Sequence, residues 1–334
     1  MNDTETYTGE ELPLWARALF GTLHVCTSLN GVLGSALILT SLTRDRLFKT
    51  AACTYTAYMA NLVITDLYFQ VYYFPSLTVG LVLGRYPVLN ETHCVFNAYL
   101  AMSCYSIFLL TLTAISFDRY VRVCHDNVYR HYFSRKTSVA VCLAIWTAGC
   151  LVPLPAIMKD SLGFDSKAHV CFTKNTATSS ASLPYLVTFT FSVLASGFFS
   201  FRIYTVYRAA RRRVEQHSEG VRGPAAQESA TGHKTLVTSD VALLRSLLVI
   251  YLCLVLFVTP GSVARGVRTK VDIPSTLYSF FLWLLSLNSS IDWIVYGLLN
   301  TRFRTDYRKI LVKVLQVCRL EACIREPDMT ITES

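Results

Sequence analysis

The stretch that decides the fold is residues 94–121, CVFNAYLAMSCYSIFLLTLTAISFDRYV. It is apolar or uncharged until the charged Asp118 and Arg119 near its end. A helix from Cys94 to Arg119, rising 1.5 Å per residue, is about 37 Å long, which is enough to cross the hydrocarbon core of a bilayer. The stretch therefore predicts a transmembrane helix with the cysteine at one membrane face and the charged residues at the other.

Composition indicates a membrane protein with several spans. Of the 334 residues, 52% are hydrophobic and only 16% are charged, and the mean hydropathy is +0.39. A soluble protein usually carries about 25% charged residues. Because the backbone in lipid must satisfy its own hydrogen bonds, apolar stretches of about 20 residues predict helices, and the fold class is an all-α seven-transmembrane helix bundle. The predicted spans are residues 18–42, 52–82, 94–121, 138–158, 183–207, 241–264 and 276–299.

The distribution of Lys and Arg predicts the orientation. With the N-terminus outside, only 8 of the 31 Lys and Arg residues are extracellular, which satisfies the positive-inside rule. A basic inner face against anionic lipid then explains the net charge of +9 without a nucleic-acid partner. The sequons at Asn2 and Asn90 predict glycosylation on the outer side. The prediction is a multi-pass plasma-membrane protein with an extracellular N-terminus.

The polar segments divide the chain into one membrane domain and its flanks. Residues 1–17 are predicted to form an extracellular N-terminus, and residues 18–299 the seven-transmembrane domain, with a flexible cytoplasmic loop at 209–239. Apolar residues at three- and four-residue spacing among Arg and Lys predict an amphipathic membrane-surface helix at 300–318, followed by a cytoplasmic tail at 319–334.

The cysteines and histidines suggest lipid modification at two positions and no metal site. Cys318 and Cys323 are candidates for palmitoylation, with unmodified thiols as the alternative. His24 is the only histidine within a predicted span, which argues against a zinc site and a membrane hydrolase. No metal or other cofactor is predicted. Inverted repeats, which are typical of transporters, are not visible.

Motifs in four spans carry a resemblance to a known family. Asp118-Arg119-Tyr120 resembles the end of the third helix of rhodopsin-like (class A) G-protein-coupled receptors. Asn61 to Leu67, NLVITDL, resembles the N-L-x-x-x-D-L of the second helix. The sixth and seventh spans, with Phe257-Val258-Thr259-Pro260 and Asn288 to Asn300, resemble the proline-kinked helix and the N-P-x-x-Y end of the family.

The resemblance implies a receptor that activates a heterotrimeric G protein by outward movement of the sixth helix. Arg119, beside Asp118 and Tyr120, is the expected cytoplasmic switch, with Tyr296 at the end of the seventh helix. Asp240 is expected to pair with Arg119 at rest, or to cap the sixth helix, or both. Pro260 removes a backbone donor and is expected to kink that helix.

The resemblance also implies a disulfide and a polar core. Cys94 is expected to anchor an extracellular loop by pairing with Cys171, on the oxidising side of the membrane. Asp66 is expected to anchor a polar network, with a lone buried acid paired to a serine as the alternative. The expected seventh-helix partners are Asn288, Ser289 and Asp292.

Several positions depart from the family pattern and indicate a divergent member. Val258 replaces the tryptophan of the sixth helix, and Asp292-Trp293 replaces the Asn-Pro pair of the seventh. Phe108 and Ser35 stand where the family commonly has a small polar residue and an asparagine, which argues against sodium binding. The altered motifs leave open a receptor-like protein that has lost G-protein coupling.

An extracellular ligand of unidentified type is the expected partner on the outer side. Ala101 replaces the aspartate of amine receptors and Ser286 the lysine of opsins, which argues against a biogenic amine and against covalently bound retinal. Arg265 is expected either to receive an anionic group of the ligand or to snorkel to the interface. The other predicted cavity residues are Met102, Tyr105, Ser106, Tyr185, Gly261, Ser262 and Leu282.

A narrower resemblance suggests a chemosensory subtype. Residues 117–124, FDRYVRVC, are similar to part of the third-helix motif of vertebrate odorant receptors. The single cysteine in the second extracellular loop departs from that group. An odorant or chemosensory receptor is therefore an alternative subtype. An enzyme is not predicted.

Overall fold

Long apolar helices form a bundle in the computed structural model, which describes residues 12–44, 53–83, 91–165, 169–174, 179–218, 248–265, 267, 271 and 273–325. In chain order the elements are α1 (Leu14–Arg44), α2 (Cys53–Tyr68), a π-helical turn (Phe69–Tyr73), α3 (Phe74–Leu83), α4 (Glu91–Cys124), α5 (Asp126–Tyr132), α6 (Arg135–Leu151), α7 (Leu154–Met158), β1 (Leu162–Asp165), β2 (Val170–Thr173), α8 (Ser179–Ser218), α9 (Leu248–Arg265), α10 (Ser275–Leu299) and α11 (Thr301–Arg325).

The predicted seven-helix bundle is confirmed. Six helical stretches in the described part of the chain are long and apolar enough to cross a membrane, formed by α1, α4, α6 with α7, α8, α9 and α10. The second crossing is the run from α2 to α3, Cys53–Leu83. Most helices extend a few residues beyond the predicted bounds because their polar ends continue the helix outside the apolar core.

The second span is not one regular α-helix, as the apolar pattern predicted. A π-helical turn interrupts it, and the N–H of Phe74 donates to the carbonyl oxygen of Phe69, five residues earlier. The turn ends two residues before Pro75, which has no N–H to continue the regular ladder. Phe69 and Tyr73, the first and last residues of the turn, are both buried inside the bundle.

A short β-ribbon is the one addition to the all-α architecture in the described residues. Strands β1 and β2 pair antiparallel, with Phe164 opposite Cys171. The predicted disulfide between Cys94 and Cys171 is present, with the Cα atoms 5.2 Å apart. It attaches the ribbon to the first turn of α4.

Helices α1 and α10 meet along what we call the α1–α10 seam, three contacts spaced about one turn apart. At the end of the seam nearest α11, a β-carbon added to Gly34 would overlap the indole ring of Trp293. The two helices therefore approach closely there because one side chain is absent. The other two contacts are hydrogen bonds, Thr27 Oγ1 to Ser286 Oγ at 3.1 Å and Asn30 Nδ2 to the Ser290 carbonyl at 2.9 Å.

The amphipathic helix α11 extends to Arg325, seven residues beyond the predicted end at 318. No Gly or Pro occurs in it before Pro327, so nothing in its backbone ends the helix earlier. Phe303 and Tyr307 are buried against the bundle, whereas Leu311 and Leu315 are exposed. This division is typical of a helix that lies on a membrane surface.

Candidate functional site

A cavity lies between α4, α8, α9, α10, the π-helical turn and β2. Its walls are mostly apolar and aromatic, with a few hydroxyl groups and one guanidinium. Such a lining is typical of a small-molecule site. Six of the predicted cavity residues line it: Tyr105, Tyr185, Gly261, Ser262, Arg265 and Leu282.

Met102 and Ser106, which were also predicted as cavity residues, are not among the residues that line this cavity. Both are buried, and the Ser106 hydroxyl donates to the Met102 carbonyl oxygen at 2.9 Å. Consecutive residues of a helix point about 100° apart, so the face of α4 with Ala101 and Tyr105 turns their neighbours away from the cavity.

Aromatic residues that the sequence analysis did not single out complete the cavity wall. Phe172 follows the disulfide cysteine in β2, and its ring lies 6.3 Å from that of Tyr185. Tyr185 in turn stacks on Tyr105, with ring centroids 5.4 Å apart. Tyr278 lines the cavity four residues before Leu282. That four-residue spacing on the predicted seventh helix was the one signal from which Tyr278 could have been found.

Arg265 points inward and does not snorkel to the interface. Its guanidinium carbon lies 4.1 Å above the ring centroid of Phe172 and 5.7 Å from that of Tyr278. Nη1 donates to Thr173 Oγ1 at 3.1 Å and lies 4.0 Å from a carboxylate oxygen of Asp165. The β-ribbon and α10 therefore hold the cation at the cavity wall.

The opposite end of α4 holds the predicted charged pair. Arg119 Nη2 lies 2.8 Å from Asp118 Oδ2, and both side chains are almost fully buried. The hydroxyl of Tyr129, in α5, donates to Asp118 Oδ1 at 3.5 Å. Tyr120 contacts His125 and Phe199. The arginine is thus held within the bundle rather than extended into solvent.

Tyr296, the other predicted switch residue, packs against α11. It is fully buried, and its ring centroid lies 5.4 Å from that of Phe303 in α11. Asp240 lies outside the described residues, so its pairing with Arg119 stays a prediction. Helix α9 continues through Pro260, and the kink there also stays a prediction.

The predicted polar core is assembled between α2 and α10. The Ser289 hydroxyl donates to Asp66 Oδ1, and both residues, with Asn288, line a second, smaller cavity beside Phe108. Asp292 is buried one turn further along α10. Among the described residues, no three His, Cys, Asp or Glu side chains come together as a metal site.

The distribution of motifs along the chain matches one family over most of its length. The model of the "7 transmembrane receptor (rhodopsin family)" matches residues 34–296. The chain belongs to this family. The rhodopsin-family receptor is a multi-pass membrane protein, and the family implies an extracellular ligand and a heterotrimeric G protein as partners.

Known proteins similar to this receptor include melatonin receptors. It is 25% identical over 311 residues to the human melatonin receptor type 1B, covering 90% of this chain and 80% of that protein. It is also 25% identical over 314 residues to the mouse (Mus musculus) melatonin receptor type 1A, covering 92% and 84%. Squid rhodopsin has the same fold, with a TM-score of 0.76 at 13% identity, covering 97% of this chain and 94% of that one. These relatives do not favour the odorant-receptor alternative.

The departures from the family pattern have structural roles in this receptor. Val258, in place of tryptophan, is buried and lines the ligand cavity. Trp293, in place of proline, fills the space over Gly34 in the α1–α10 seam and lies 6.3 Å from the ring of Tyr307. The tryptophan thus packs the C-terminal half of α10 against two neighbouring helices, α1 and α11.

A hydrogen-bonded link through Asn61 joins three spans. Trp146 Nε1, in α6, donates to Asn61 Oδ1 at 2.6 Å, and Asn61 Nδ2 donates to Thr111 Oγ1 at 2.7 Å. Asn61 is 5% exposed. Through these two hydrogen bonds Asn61 joins α2, α4 and α6. In lipid no water can replace a hydrogen-bond partner that is lost.

We expect Asn61→Leu to lower the stability of the receptor by about 2–3 kcal/mol, because it removes two buried hydrogen bonds and leaves the Trp146 N–H without an acceptor. The measurement is the melting temperature of the purified receptor in detergent. Thr147→Val is the control, because that exposed hydroxyl bonds only within its own helix, to the Leu143 carbonyl. Equal melting temperatures for both variants would contradict the proposed link.

Several predicted sites fall outside the described residues. The glycosylation candidates Asn2 and Asn90 lie there, and so does most of the predicted loop 209–239, although α8 continues to Ser218. Helix α11 includes Cys318 and Cys323, but the placement of their side chains is outside the described part. Palmitoylation of the two cysteines therefore stays a prediction.

Proposed function

We propose that the protein is a plasma-membrane receptor, with its N-terminus outside, that binds a small ligand in the cavity between α4, α8, α9 and α10 and activates a heterotrimeric G protein. The observation that carries the proposal is the position of two sites on one helix. Ala101 and Tyr105 of α4 line the cavity, and Asp118 and Arg119 of α4 form the buried ion pair. Tyr105 and Arg119 are about 21 Å apart along the helix axis.

The proposed mechanism is a two-state shift. A ligand that contacts α4, α8, α9 and α10 favours a rearranged packing of these helices around Val258. The cytoplasmic half of α9 then moves outward about Pro260. Arg119 becomes accessible to the C-terminal helix of a Gα subunit. The relatives are named for melatonin, so melatonin is the first compound to test.

The experiment is a panel of Gα biosensors in cells that express the full chain, recorded without ligand and with melatonin. We expect Arg119→Ala to abolish the signal of at least one sensor, because the switch cation is removed. Arg135→Ala is the matched control, since that arginine is exposed on the same cytoplasmic side, at the start of α6.

Surface expression of every variant is measured in parallel. A signal that survives Arg119→Ala at normal surface expression would contradict the proposed switch. No signal in any sensor, with the receptor at the surface, leaves two explanations: a ligand other than melatonin, or a protein that has lost coupling. In that case Val258→Trp, and Asp292→Asn with Trp293→Pro, test whether the altered motifs are the cause.

A further inference from the structure

The cavity carries a positive charge with no carboxylate in its lining. Arg265 is the one formally charged side chain among the described residues that border it. Its side chain is only 15% exposed. A guanidinium in such an apolar, aromatic surrounding favours an anion, because water solvates it poorly there.

The charge of Arg265 is only partly compensated within the protein. The carboxylate of Asp165 is 4.0 Å away, beyond the length of a direct hydrogen bond. Among the described residues, the one hydrogen bond of the guanidinium goes to the neutral hydroxyl of Thr173. Both contacts with described residues are made through Nη1, which leaves Nη2 and Nε as the donors that can face an acceptor in the cavity.

The groups around Arg265 complete a binding site for a hydrogen-bond acceptor of a ligand. The ring of Phe172 covers one face of the guanidinium, which fixes the plane in which its N–H groups point. The hydroxyl of Tyr278, whose ring is 5.7 Å from the guanidinium carbon, is buried and has no hydrogen-bond partner in the described part of the protein. A carboxylate can accept from the arginine and from this hydroxyl together.

We propose that the ligand of this receptor is an aromatic carboxylic acid whose carboxylate binds Arg265 and the Tyr278 hydroxyl. Its ring system packs among the rings of Tyr105, Tyr185 and Phe172. This inference rests on the proposed function, namely that this cavity is the ligand site. A cationic amine is excluded by the same charge, because it would approach a guanidinium with no carboxylate in the lining to compensate.

If Arg265 had a purely structural role, a different result would be expected from its replacement. If the side chain only fastens the β-ribbon to α9 through Thr173 and Phe172, its removal lowers stability and has no effect on ligand choice. The test therefore compares each acid with a neutral compound of the same shape.

The experiment measures binding to the purified full-length receptor by the shift of its thermal unfolding temperature. The probes are phenylacetate, naphthylacetate and biphenylacetate, each paired with its primary amide. A ligand that binds the folded state raises the unfolding temperature with its concentration. We expect at least one acid to bind with a Kd about tenfold or more below that of its amide. If no acid binds more tightly than its amide, the proposal is wrong.

Substitutions assign the preference to the arginine. Arg265→Gln is expected to reduce the acid-to-amide ratio of Kd to about one, and Arg265→Lys to retain part of the preference. Lys159→Gln is the charge-matched control, since Lys159 is exposed after α7 and outside the cavity. An acid preference that persists in Arg265→Gln would overturn the assignment. If Arg265→Gln does not fold, the wild-type comparison of acids with amides and the Arg265→Lys result still test whether a carboxylate binds Arg265.

The outcome is separable from that of the proposed function because the binding assay needs no G protein. Acid-selective binding without any Gα signal would support the acid site and contradict coupling. An Arg119-dependent signal without acid preference would support coupling and contradict the acid site.

Discussion

Replacing Gly34 with alanine is expected to remove most of the folded receptor from the cell surface. The added β-carbon would overlap Cδ1, Cγ and Nε1 of the Trp293 indole, at separations shorter than atoms tolerate. Cγ is the root of the ring and can move away only if Trp293 changes its χ1 rotamer or α10 shifts. The ring is also held from the other side by Tyr307. Overpacking a close contact costs typically 1–3 kcal/mol and more where neighbours cannot shift.

The measurement is surface expression by flow cytometry on an N-terminal tag, together with the melting temperature in detergent. Gly261→Ala is the control, because a β-carbon there would lie 3.5 Å from the Phe281 β-carbon, an ordinary contact. Trp293→Ala is expected to be destabilising alone, and Gly34→Ala should add almost nothing to it. Normal expression of Gly34→Ala would show that the α1–α10 seam is not packed as described.

Replacing Cys171 with serine is expected to produce the second large loss. The disulfide closes a loop of 77 residues, and by the chain-entropy argument such a crosslink contributes about 4.5 kcal/mol. It also holds β2, with Phe172 and Thr173, over the cavity. We therefore expect both lower surface expression and weaker binding of any ligand that contacts Arg265.

Cys94→Ser should have the same effect, and the double variant should be no worse than either single one, since one bond is lost in every case. Cys26→Ser is the control for removal of a thiol, because Cys26 is a free cysteine on the exposed side of α1. The role of the disulfide would be refuted by Cys171→Ser expressing and binding like the Cys26→Ser variant.

Much of the receptor was predictable from sequence because the chain faces lipid. Asp66, Asp118 and Arg119 stand out in an apolar chain, and the structure places each in a buried polar contact. Cys94 and Cys171 were matched through their positions at the outer side, and the disulfide is present. Six cavity residues were also found, because the family resemblance fixes the approximate depth of each position in the membrane.

The differences from prediction arose where rotation about a helix axis matters. Met102 and Ser106 lie at the predicted depth but on another face of α4. Arg265 was left between two roles, because sequence does not say whether a side chain at a helix end turns inward. The inward position depends on Phe172 and Thr173 of the β-ribbon, which are more than 90 residues away in the chain.

The sequence by itself determined which segments cross the membrane, because hydrophobicity and the need for internal backbone hydrogen bonds act on each segment separately. Only the tertiary structure decided which faces meet: Gly34 against Trp293, Asn61 between Trp146 and Thr111, and Arg265 over Phe172. In lipid, little free energy is gained when an apolar side chain exchanges contact with lipid for contact with another helix. The rotation and pairing of helices are therefore set by close packing and a few hydrogen bonds between distant residues, which no local pattern records.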